Sequence, residues 1–530
     1  MLKKTANLFT TAYLLLMFCA YPFYIEKGYE NIGEAKNRFF LYISISAFVI
    51  LGICAFLYLL KALWDILLQK KVYLIDWNRV SATDLFVLLY ATFVFLSYVF
   101  SEYRDEALWG TEGWYMGLLP LLLLCGLYFL ISRMWNGDTR IFYLLVAASA
   151  LVFLLGICNR FSFYPIKFAV TQPDFISTLG NINWFCGYLS VTAPVGIGMF
   201  LVQDKGQEAS KRKTYRIKKW ILGSFTVITF MAGFCQGSNS IFLWFGSLFF
   251  VFLWISVANV MWLTNWFLVL FLWGGAAQMI RLLRTLLPDR YNYDTQNLCG
   301  YFTETDLSFW IAVIAFLGYF TLKLWQKKEK EIYVWPALKK KYIRIMLVGA
   351  LLTALCLWII ISAVNTWIGS LGFFDSDFFL WNDNWGNGRG AAIKVGVLMF
   401  QKMPFLHKLI GVGPDCFCSY AYSSDETAAI ILENFGGSRL TNAHNEILTD
   451  LINVGILGTI FYMGIFLSFI RRSYRKGIQN PILFIPAVCV ICYLCHNMVS
   501  FAQVLNLPFV ILIMAMGEKM LRGMSSPTDG

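Results

Sequence analysis

The sequence predicts an all-α polytopic membrane protein, and three observations support that prediction. Of its 530 residues, 58% are hydrophobic and only 14% are charged, whereas a soluble domain is about half apolar and about a quarter charged. The mean hydropathy is +0.62. Apolar runs close to the roughly 20 residues that cross a bilayer recur along the chain. This composition excludes a secreted enzyme, a disordered chain and a nucleic-acid-binding protein, although the net charge is +12.

The apolar runs predict about twelve to fourteen transmembrane helices. The predicted spans are 8–25, 39–60, 82–100, 117–132, 141–158, 183–203, 220–236, 241–257, 262–280, 307–324, 345–365, 446–470, 481–499 and 501–518. The division of the ninth span from the eighth rests on a short polar break at Ser256–Asn259. The first run follows Lys3 and Lys4 and has no small-residue cleavage site, so we expect it to be retained as a helix.

The distribution of positive charge predicts the orientation of these helices. Most of the 43 Lys and Arg residues fall on one side of the predicted membrane, in segments such as KRKTYRIKK and the 323–344 loop. Loops rich in Lys and Arg stay in the cytoplasm. We therefore expect a multi-pass protein of the cytoplasmic (cell) membrane with both termini in the cytoplasm.

One predicted loop is much longer than the others and divides the chain. Between the eleventh and twelfth predicted helices, about 80 residues are rich in Gly, Asn, Asp, Ser and aromatic residues, which favours an ordered extracytoplasmic cap. The predicted regions are 1–365 (transmembrane helices with short loops), 366–445 (large extracytoplasmic loop), 446–518 (C-terminal transmembrane helices) and 519–530 (cytoplasmic tail). Because the helices contain few charges, we expect the functional site at the outer membrane surface.

His444 is the candidate catalytic base. It stands in the segment LTNAHNE, directly before a predicted helix that Thr441 or Asn442 would N-cap. His444 would then lie in the first helical turn, where the helix dipole disfavours imidazolium and leaves a neutral nitrogen that can accept a proton. The alternative is a histidine that only caps a helix at a wet interface. His407 is interpreted as a surface residue, and His496 as a partner in an interhelical hydrogen bond.

Three arginines are candidates for binding a phosphate group. Arg281 and Arg284 are three residues apart, so they share one face of a predicted helix that emerges at the outer surface. Arg389 lies in a flexible Asn-Gly-Arg-Gly segment. Guanidinium groups bind phosphate oxygens in a bidentate fork. The alternative for each arginine is an anchor at the membrane interface.

The sequence contains no strong metal or nucleotide motif. Most of the 13 cysteines lie in apolar runs, where cysteine behaves as a small hydrophobic residue, and no CxxC pair stands with histidine at ligand spacing. The Gly411–Asp415 turn does not match a nucleotide-binding loop. The Asp375–Asp377 pair is interpreted as a solvated acidic turn in preference to a Mg²⁺ site. We therefore expect neither a metal nor a cofactor.

Three segments carry motifs in an order typical of a known family. Residues 442–466 contain a His-Asn helix start. Residues 388–417 contain an arginine, a predicted short helix and a Gly-Val-Gly-Pro turn. Residues 179–201 contain a Gly-Asn-x-Asn helix start. Together they resemble the O-antigen ligase/O-antigen polymerase family of bacterial membrane glycosyltransferases. The resemblance implies a GT-C-like bundle of transmembrane helices.

The same resemblance implies an activity and a set of site residues. The reaction would transfer an oligo- or polysaccharide from a polyprenyl-pyrophosphate carrier, such as undecaprenyl pyrophosphate, to a hydroxyl of a glycan or lipid acceptor. It would proceed with inversion and without a metal. His444 would take the proton, and Arg389, with Arg281 or Arg284, would bind the pyrophosphate. The supporting residues are expected to be Asn442, Asn445, Glu446 and Asn183.

Two departures from the family pattern leave alternatives open. Trp114 stands where members often have an arginine, and Gly237–Ser240 replaces a Ser-Arg pair found in many members. The sequence does not identify the acceptor, which is what distinguishes a ligase from a polymerase. A lipid-linked glycan flippase or another multi-pass transporter is the alternative function, and it would need a charged central cavity and broken helices.

Overall fold

The protein is almost entirely helical over the residues that the structure describes. The structure, a computed structural model, describes residues 2–69, 80–166, 168, 171–203, 209–293, 297–328, 337–369 and 377–523. Within these ranges, ten helices are long and apolar enough to cross a membrane, and three shorter apolar helices accompany them. The strands β1 (Phe175–Ile176) and β2 (Gly180–Asn181) pair antiparallel. The predicted all-α polytopic membrane fold is therefore confirmed.

The first ten helices lie between the N-terminus and residue 286. They are α1 (Leu2–Leu15), α2 (Ile32–Gln69), α3 (Ala82–Val99), α4 (Arg104–Trp109), α5 (Leu118–Met134), α6 (Arg140–Arg160), α7 (Ile182–Val202), α8 (Ala209–Cys235), α9 (Ile241–Ser256) and α10 (Val260–Leu286). The predicted break between the eighth and ninth spans is confirmed, because α9 ends at Ser256. The side chain of Asn259 then accepts a hydrogen bond from the amide of Met261 and caps α10.

The remaining helices include several short ones, which precede three longer helices near the C-terminus. They are α11 (Leu298–Glu304), α12 (Leu307–Lys328), α13 (Ala337–Trp367), α14 (Trp385–Lys402), α15 (Phe405–Ile410), α16 (Phe417–Ala421), α17 (Asp425–Phe435), α18 (Glu446–Asn453), α19 (Gly455–Gly477), α20 (Phe484–His496) and α21 (Leu507–Gly523). Helices α14–α18 belong to one region, residues 377–454, which we call the cap.

The helix predicted over 446–470 is interrupted in the structure. Helix α18 ends at Asn453, and α19 begins at Gly455, whose φ of +71° is a left-handed conformation that glycine adopts without strain. A side chain at Gly455 would overlap the backbone of Leu409 and Ile410. The backbone at the end of α15 therefore packs directly against this break. The hydrophobic pattern continues through it, which is why the sequence predicted one helix.

Helix α13 is the most exposed of the long helices. Few of its residues are buried by the rest of the described chain. Its C-terminal end contacts the start of the cap, where the backbone amide of Trp381 donates to Oγ1 of Thr366 over 2.9 Å. The Trp381 ring also lies 5.9 Å from that of Trp358 and 5.8 Å from that of Trp367. Aromatic residues of the cap thus pack on α13.

Contacts between loops define two ends of the helical bundle. At one end, which we call the cap end, Thr111 and Asp415 are hydrogen-bonded, as are Arg389 and Val499. At the opposite end, charged side chains of α3, α5, α19 and α21 form ion pairs. These pairs are Arg133–Asp84, Arg522–Asp84, Arg522–Glu518 and Arg472–Glu518. The buried carboxylates of Asp84 and Glu518 are both paired with arginine, so they are not isolated charges.

Candidate active site

His444 lies just outside a helix, in a backbone conformation that is unusual for its residue type. Asn445 is the N-cap of α18, and its side chain accepts from the amide of Leu448 over 3.0 Å. The prediction that Thr441 or Asn442 caps this helix, with His444 in its first turn, is wrong. His444 has a φ of +50°, and the Asn442 side chain stabilises this turn by accepting from the His444 amide over 2.9 Å.

The imidazole of His444 is neutral and has both nitrogens available. Its ring is partly buried and packs edge-on against Phe501, with 5.7 Å between centroids. Burial, together with the smaller effect of the positive charge of Arg389, lowers the pKa of His444 to about 4. In the described part of the chain, neither ring nitrogen has a hydrogen-bond partner. The neutral form was expected from the helix dipole, but its causes are burial and a neighbouring guanidinium.

Arg389 is held by backbone carbonyls and keeps one nitrogen free. Gly386, Asn387 and Gly388 all have positive φ, so the chain loops tightly before α14 becomes regular. This loop lets Nη1 of Arg389 donate to the carbonyl of Gly386, while Nε donates to that of Val499 over 2.9 Å. Among the residues described, Nη2 has no acceptor and no carboxylate pairs with this arginine. Its charge is therefore available to an anionic ligand.

The loop between α20 and α21 joins these groups. The carbonyl of Asn497 accepts from the amide of Glu446 over 3.0 Å, and that of Met498 accepts from the Asn445 side chain over 2.9 Å. The next carbonyl, that of Val499, accepts from Arg389. Three consecutive carbonyls thus fix the start of α18 and the arginine relative to each other. Sequence reasoning missed this loop because carbonyl groups are common to every residue.

Glu446 anchors α18 and does not face the candidate base. Its buried carboxylate accepts from Oη of Tyr493 over 2.7 Å and from Oη of Tyr462. The side chain of Asn497 donates to its other oxygen. These three donors satisfy a charge that would be costly to bury alone. The supporting residue predicted from the sequence therefore has a positioning role in the structure.

A chain of polar side chains links Asn183 to the same loop. Oγ of Ser238 donates to Oδ1 of Asn183 over 2.8 Å and lies 2.9 Å from Oγ of Ser240. Ser240 lies 3.4 Å from Nε2 of His496, whose Nδ1 is 3.1 Å from Oδ1 of Asn497. His496 is fully buried. The two serines occupy the segment in which the sequence departs from the family's Ser-Arg pair.

Arg281 and Arg284 lie elsewhere and are paired with acids. Arg281 forms a 2.6 Å ion pair with Asp306, and Arg284 forms a 2.7 Å ion pair with Glu304. The Arg284 guanidinium also lies 4.8 Å from the ring of Tyr291. No contact recorded for the described residues joins either arginine to the His444 side chain. The structure thus brings Arg389 to the candidate base and leaves the other two at the turn between α11 and α12.

The backbone of the glycine-rich turn at 411–415 is hydrogen-bonded to the end of α18. The amides of Val412 and Gly413 donate to the carbonyls of Ile452 and Asn453 over 3.0 and 3.1 Å, so they are not free for a phosphate. Asp415, with a φ of +60°, turns its buried side chain toward another loop. There Oδ2 of Asp415 accepts from the backbone amides of residues 111 and 116 over 2.8 and 2.9 Å. Burial raises the pKa of Asp415 to about 7.

Trp114 belongs to the loop that Asp415 holds, and it borders the candidate base. Its Nε1 donates to Oγ1 of Thr441 over 2.6 Å. Its ring lies 4.7 Å from that of Phe501 and 5.4 Å from that of Trp184. Trp114, which stands where family members often have an arginine, thus contacts the same Phe501 ring that packs against His444.

No close group of three His, Cys, Asp or Glu side chains that could hold a metal occurs in the ranges described. The acidic pair predicted to be a solvated turn falls mostly outside those ranges, since only the backbone of Asp377 is described.

Comparison with known families gives one match. Residues 298–463 match the O-antigen ligase family. This segment runs from α11 into α19 and contains Arg389, His444 and Glu446, but not Asn183 or the 497–506 loop. A comparison with curated proteins gives no match. This match confirms, over residues 298–463, the resemblance to the O-antigen ligase/O-antigen polymerase family that the sequence motifs indicated.

Proposed function

We propose that this protein transfers an oligo- or polysaccharide from a polyprenyl-pyrophosphate carrier to an acceptor hydroxyl at the outer face of the cytoplasmic membrane. One observation carries the proposal. A neutral His444 with two free nitrogens lies within electrostatic reach of Arg389, which has a free nitrogen and no acidic partner. Both residues belong to the segment that matches the O-antigen ligase family.

The proton step is assigned to His444. The acceptor hydroxyl attacks the anomeric carbon of the carrier-linked sugar, and its proton passes to a nitrogen of the imidazole. A general base must be unprotonated at the working pH, and the lowered pKa of His444 meets that condition. Direct displacement of this kind forms one C–O bond as the other breaks, so the anomeric configuration is inverted.

The leaving group is assigned to Arg389. As the bond to the carrier breaks, its electron pair goes to the pyrophosphate, and negative charge develops on the phosphate oxygens. A guanidinium already fixed by the carbonyls of Gly386 and Val499 can stabilise that charge without reorganising. Because this cation and a good leaving group suffice, the proposed reaction needs no metal and no cofactor.

Arg281 and Arg284 remain secondary candidates for contacts with the carrier phosphates. Their ion pairs are partly exposed to solvent, where such pairs contribute little and exchange partners readily. The proposal does not choose between two acceptors. A polymerase would use a glycan, and a ligase would use a lipid core or a wall polymer.

Replacing His444 tests the proposal directly. We expect His444→Ala to lower glycan transfer at least about 100-fold, the effect of losing a general base. The assay uses membranes that supply the acceptor, adds a polyprenyl-pyrophosphate-linked oligosaccharide and measures the release of polyprenyl pyrophosphate together with product formation.

The matched control is His407→Ala, a second histidine of the cap whose Nδ1 contacts the carbonyl of Gly411. We expect it to retain transfer, because it lies outside the proposed machinery. Thermal unfolding of both variants checks that the fold is intact. Transfer at the wild-type rate by a folded His444→Ala protein would contradict the proposal.

A further inference from the structure

A basic groove lies between α9 and α13, at the end of the bundle opposite the cap. It encloses about 490 Å³ and is lined by Trp254, Lys340, Lys341, Arg344, Ile345 and Val348. Three of these six residues are cations within five positions of one helix. This set of residues, which we call the basic groove, has no part in the proposed transfer reaction.

The cations of the basic groove have no acidic partner among the residues described. Lys340 and Lys341 form no ion pair or hydrogen bond there. The Arg344 guanidinium lies 5.1 Å from the ring of Trp254, and its Nη2 makes only a long 3.4 Å contact with the backbone carbonyl of Trp254. The Nε of Arg344 is buried and has no acceptor among the residues described. Clustered positive charge without an acidic partner in these ranges favours an anionic ligand.

The groove changes from charged to apolar along α13. The cations stand near the helix start, with Ile345 and Val348 further along the membrane-spanning segment. Trp254 lies at the end of α9, and its Nε1 is 3.2 Å from Oη of Tyr474, which fixes the indole. Tryptophan and basic residues next to apolar residues are typical of the headgroup level of a membrane.

The exposure of α13 also points to a lipid. Its best-defined contacts are at its other end, where Trp358 and Trp367 pack on the cap, and most of its length is exposed. A ligand with an anionic head and apolar chains would match the cations and also cover apolar residues such as Leu351 and Leu355, both about half-exposed. An inorganic anion would match the cations but would leave these apolar residues uncovered.

We propose that the basic groove binds the phosphate headgroup of an anionic phospholipid, whose acyl chains lie along α13. Lys340, Lys341 and Arg344 contact the phosphate, and Ile345 and Val348 contact the first part of the chains. The bound lipid supports the end of α13 that protein contacts leave exposed. Because Trp358 and Trp367 of α13 pack on Trp381, this lipid also stabilises the start of the cap.

The test measures lipid retention by the full-length protein in detergent, using native mass spectrometry and thermal unfolding. We expect phosphatidylglycerol to bind and raise the unfolding temperature, and phosphatidylcholine and inorganic phosphate to have little effect. The Lys341→Gln/Arg344→Gln variant should bind phosphatidylglycerol at least about tenfold more weakly, since each cation near an anionic headgroup contributes a factor of about five. Val348→Trp, which leaves the charge unchanged and fills the groove, should also lose the lipid.

The matched control is Lys327→Gln/Arg475→Gln, which removes two exposed cations at the same end of the bundle but outside the groove. It should bind phosphatidylglycerol as the wild type does. Three results would overturn the proposal. They are equal weakening in the control, equal binding of phosphatidylcholine, and full stabilisation by inorganic phosphate alone.

Discussion

At the scale of single residues, the sequence singled out a candidate base but did not predict its surroundings. Only three histidines occur in the chain, and the pattern around His444 indicated a nearby helix start, which the structure has at Glu446. The sequence predicted Thr441 or Asn442 as the cap of this helix. Asn445 takes that role, because Asn442 is occupied with the amide of His444 and holds it at positive φ. Such competition between local hydrogen bonds is decided by the fold.

The arginines illustrate a second limit of sequence reasoning. Arg281, Arg284 and Arg389 look equivalent as residues at one predicted surface. The acids that compensate the first two, Asp306 and Glu304, are 25 and 20 positions away in the chain. The carbonyl that holds Arg389 is 110 positions away. Whether a guanidinium is free or paired is therefore a tertiary property.

The depressed pKa of His444 predicts an unusual pH profile. Between the ordinary value of 6.5 and about 4, the folded protein keeps this imidazole neutral, so the base remains competent as the pH falls. We expect kcat/KM for transfer to stay level from pH 7 to about 5 and to decline only near pH 4. The measurement is the initial rate at low donor concentration across this range.

His407→Ala serves as the control for this profile and should reproduce the wild-type curve. Circular dichroism at each pH separates loss of fold from loss of the base. An acid limb near pH 6.5 would mean that His444 titrates as a solvent-exposed residue, and the assigned environment would then be incorrect.

At the scale of secondary-structure elements, the predicted helices agree with the structure, and the errors are at their ends. Helices α20 and α21 are separated by the 497–506 loop, although the hydrophobic pattern predicted almost continuous spans over 481–518. This loop is apolar enough to be mistaken for helix. Its carbonyls are used instead by Asn445, Glu446 and Arg389, and the chain forms turns and bends here in place of a helix.

Asp415 connects the cap to the loop before α5 through two backbone amides, and replacing it tests that connection. Asp415→Ala removes the acceptor for two buried amides, those of Thr111 and Met116. Each unsatisfied buried amide costs about 1–3 kcal/mol, and alanine also disfavours the positive φ at this position. We expect a lower temperature of thermal unfolding in detergent.

Asp415→Asn is the matched variant, because asparagine keeps an acceptor oxygen and tolerates the left-handed conformation. Its unfolding temperature should stay near that of the wild type. The aspartate has its pKa raised to about 7 by burial, so the wild type is expected to lose stability as the pH rises through that value. The asparagine variant should not show that loss. A pH dependence that is equal in the two proteins would exclude a titrating Asp415.

At the scale of the whole molecule, the order of helices and loops along the chain was predicted well. Each of the fourteen predicted spans overlaps a helix, although the span over 446–470 is divided into α18 and α19. Contacts between distant loops place the candidate site at the cap end. The buried charges of the described helices lie toward helix ends, such as Lys36 on the carbonyls of Tyr21 and Pro22, and Asp84 beside Arg522. This arrangement favours an enzyme with a surface site over a transporter with a charged central cavity.

The orientation of this bundle in the membrane is the prediction that connects the fold to the proposed function. If the positive-inside rule holds, the cap faces outward and the ion-paired end faces the cytoplasm. A protease recognition sequence inserted at the exposed Gly436–Gly437 link should then be cleaved by protease added to intact spheroplasts. The same insertion at the exposed Ile478–Gln479 turn, beyond α19, should be protected until the membrane is permeabilised. Transfer activity of each insertion variant confirms that it is folded. The opposite cleavage pattern would put His444 and Arg389 on the cytoplasmic side. That result would contradict a reaction at the outer face of the cytoplasmic membrane.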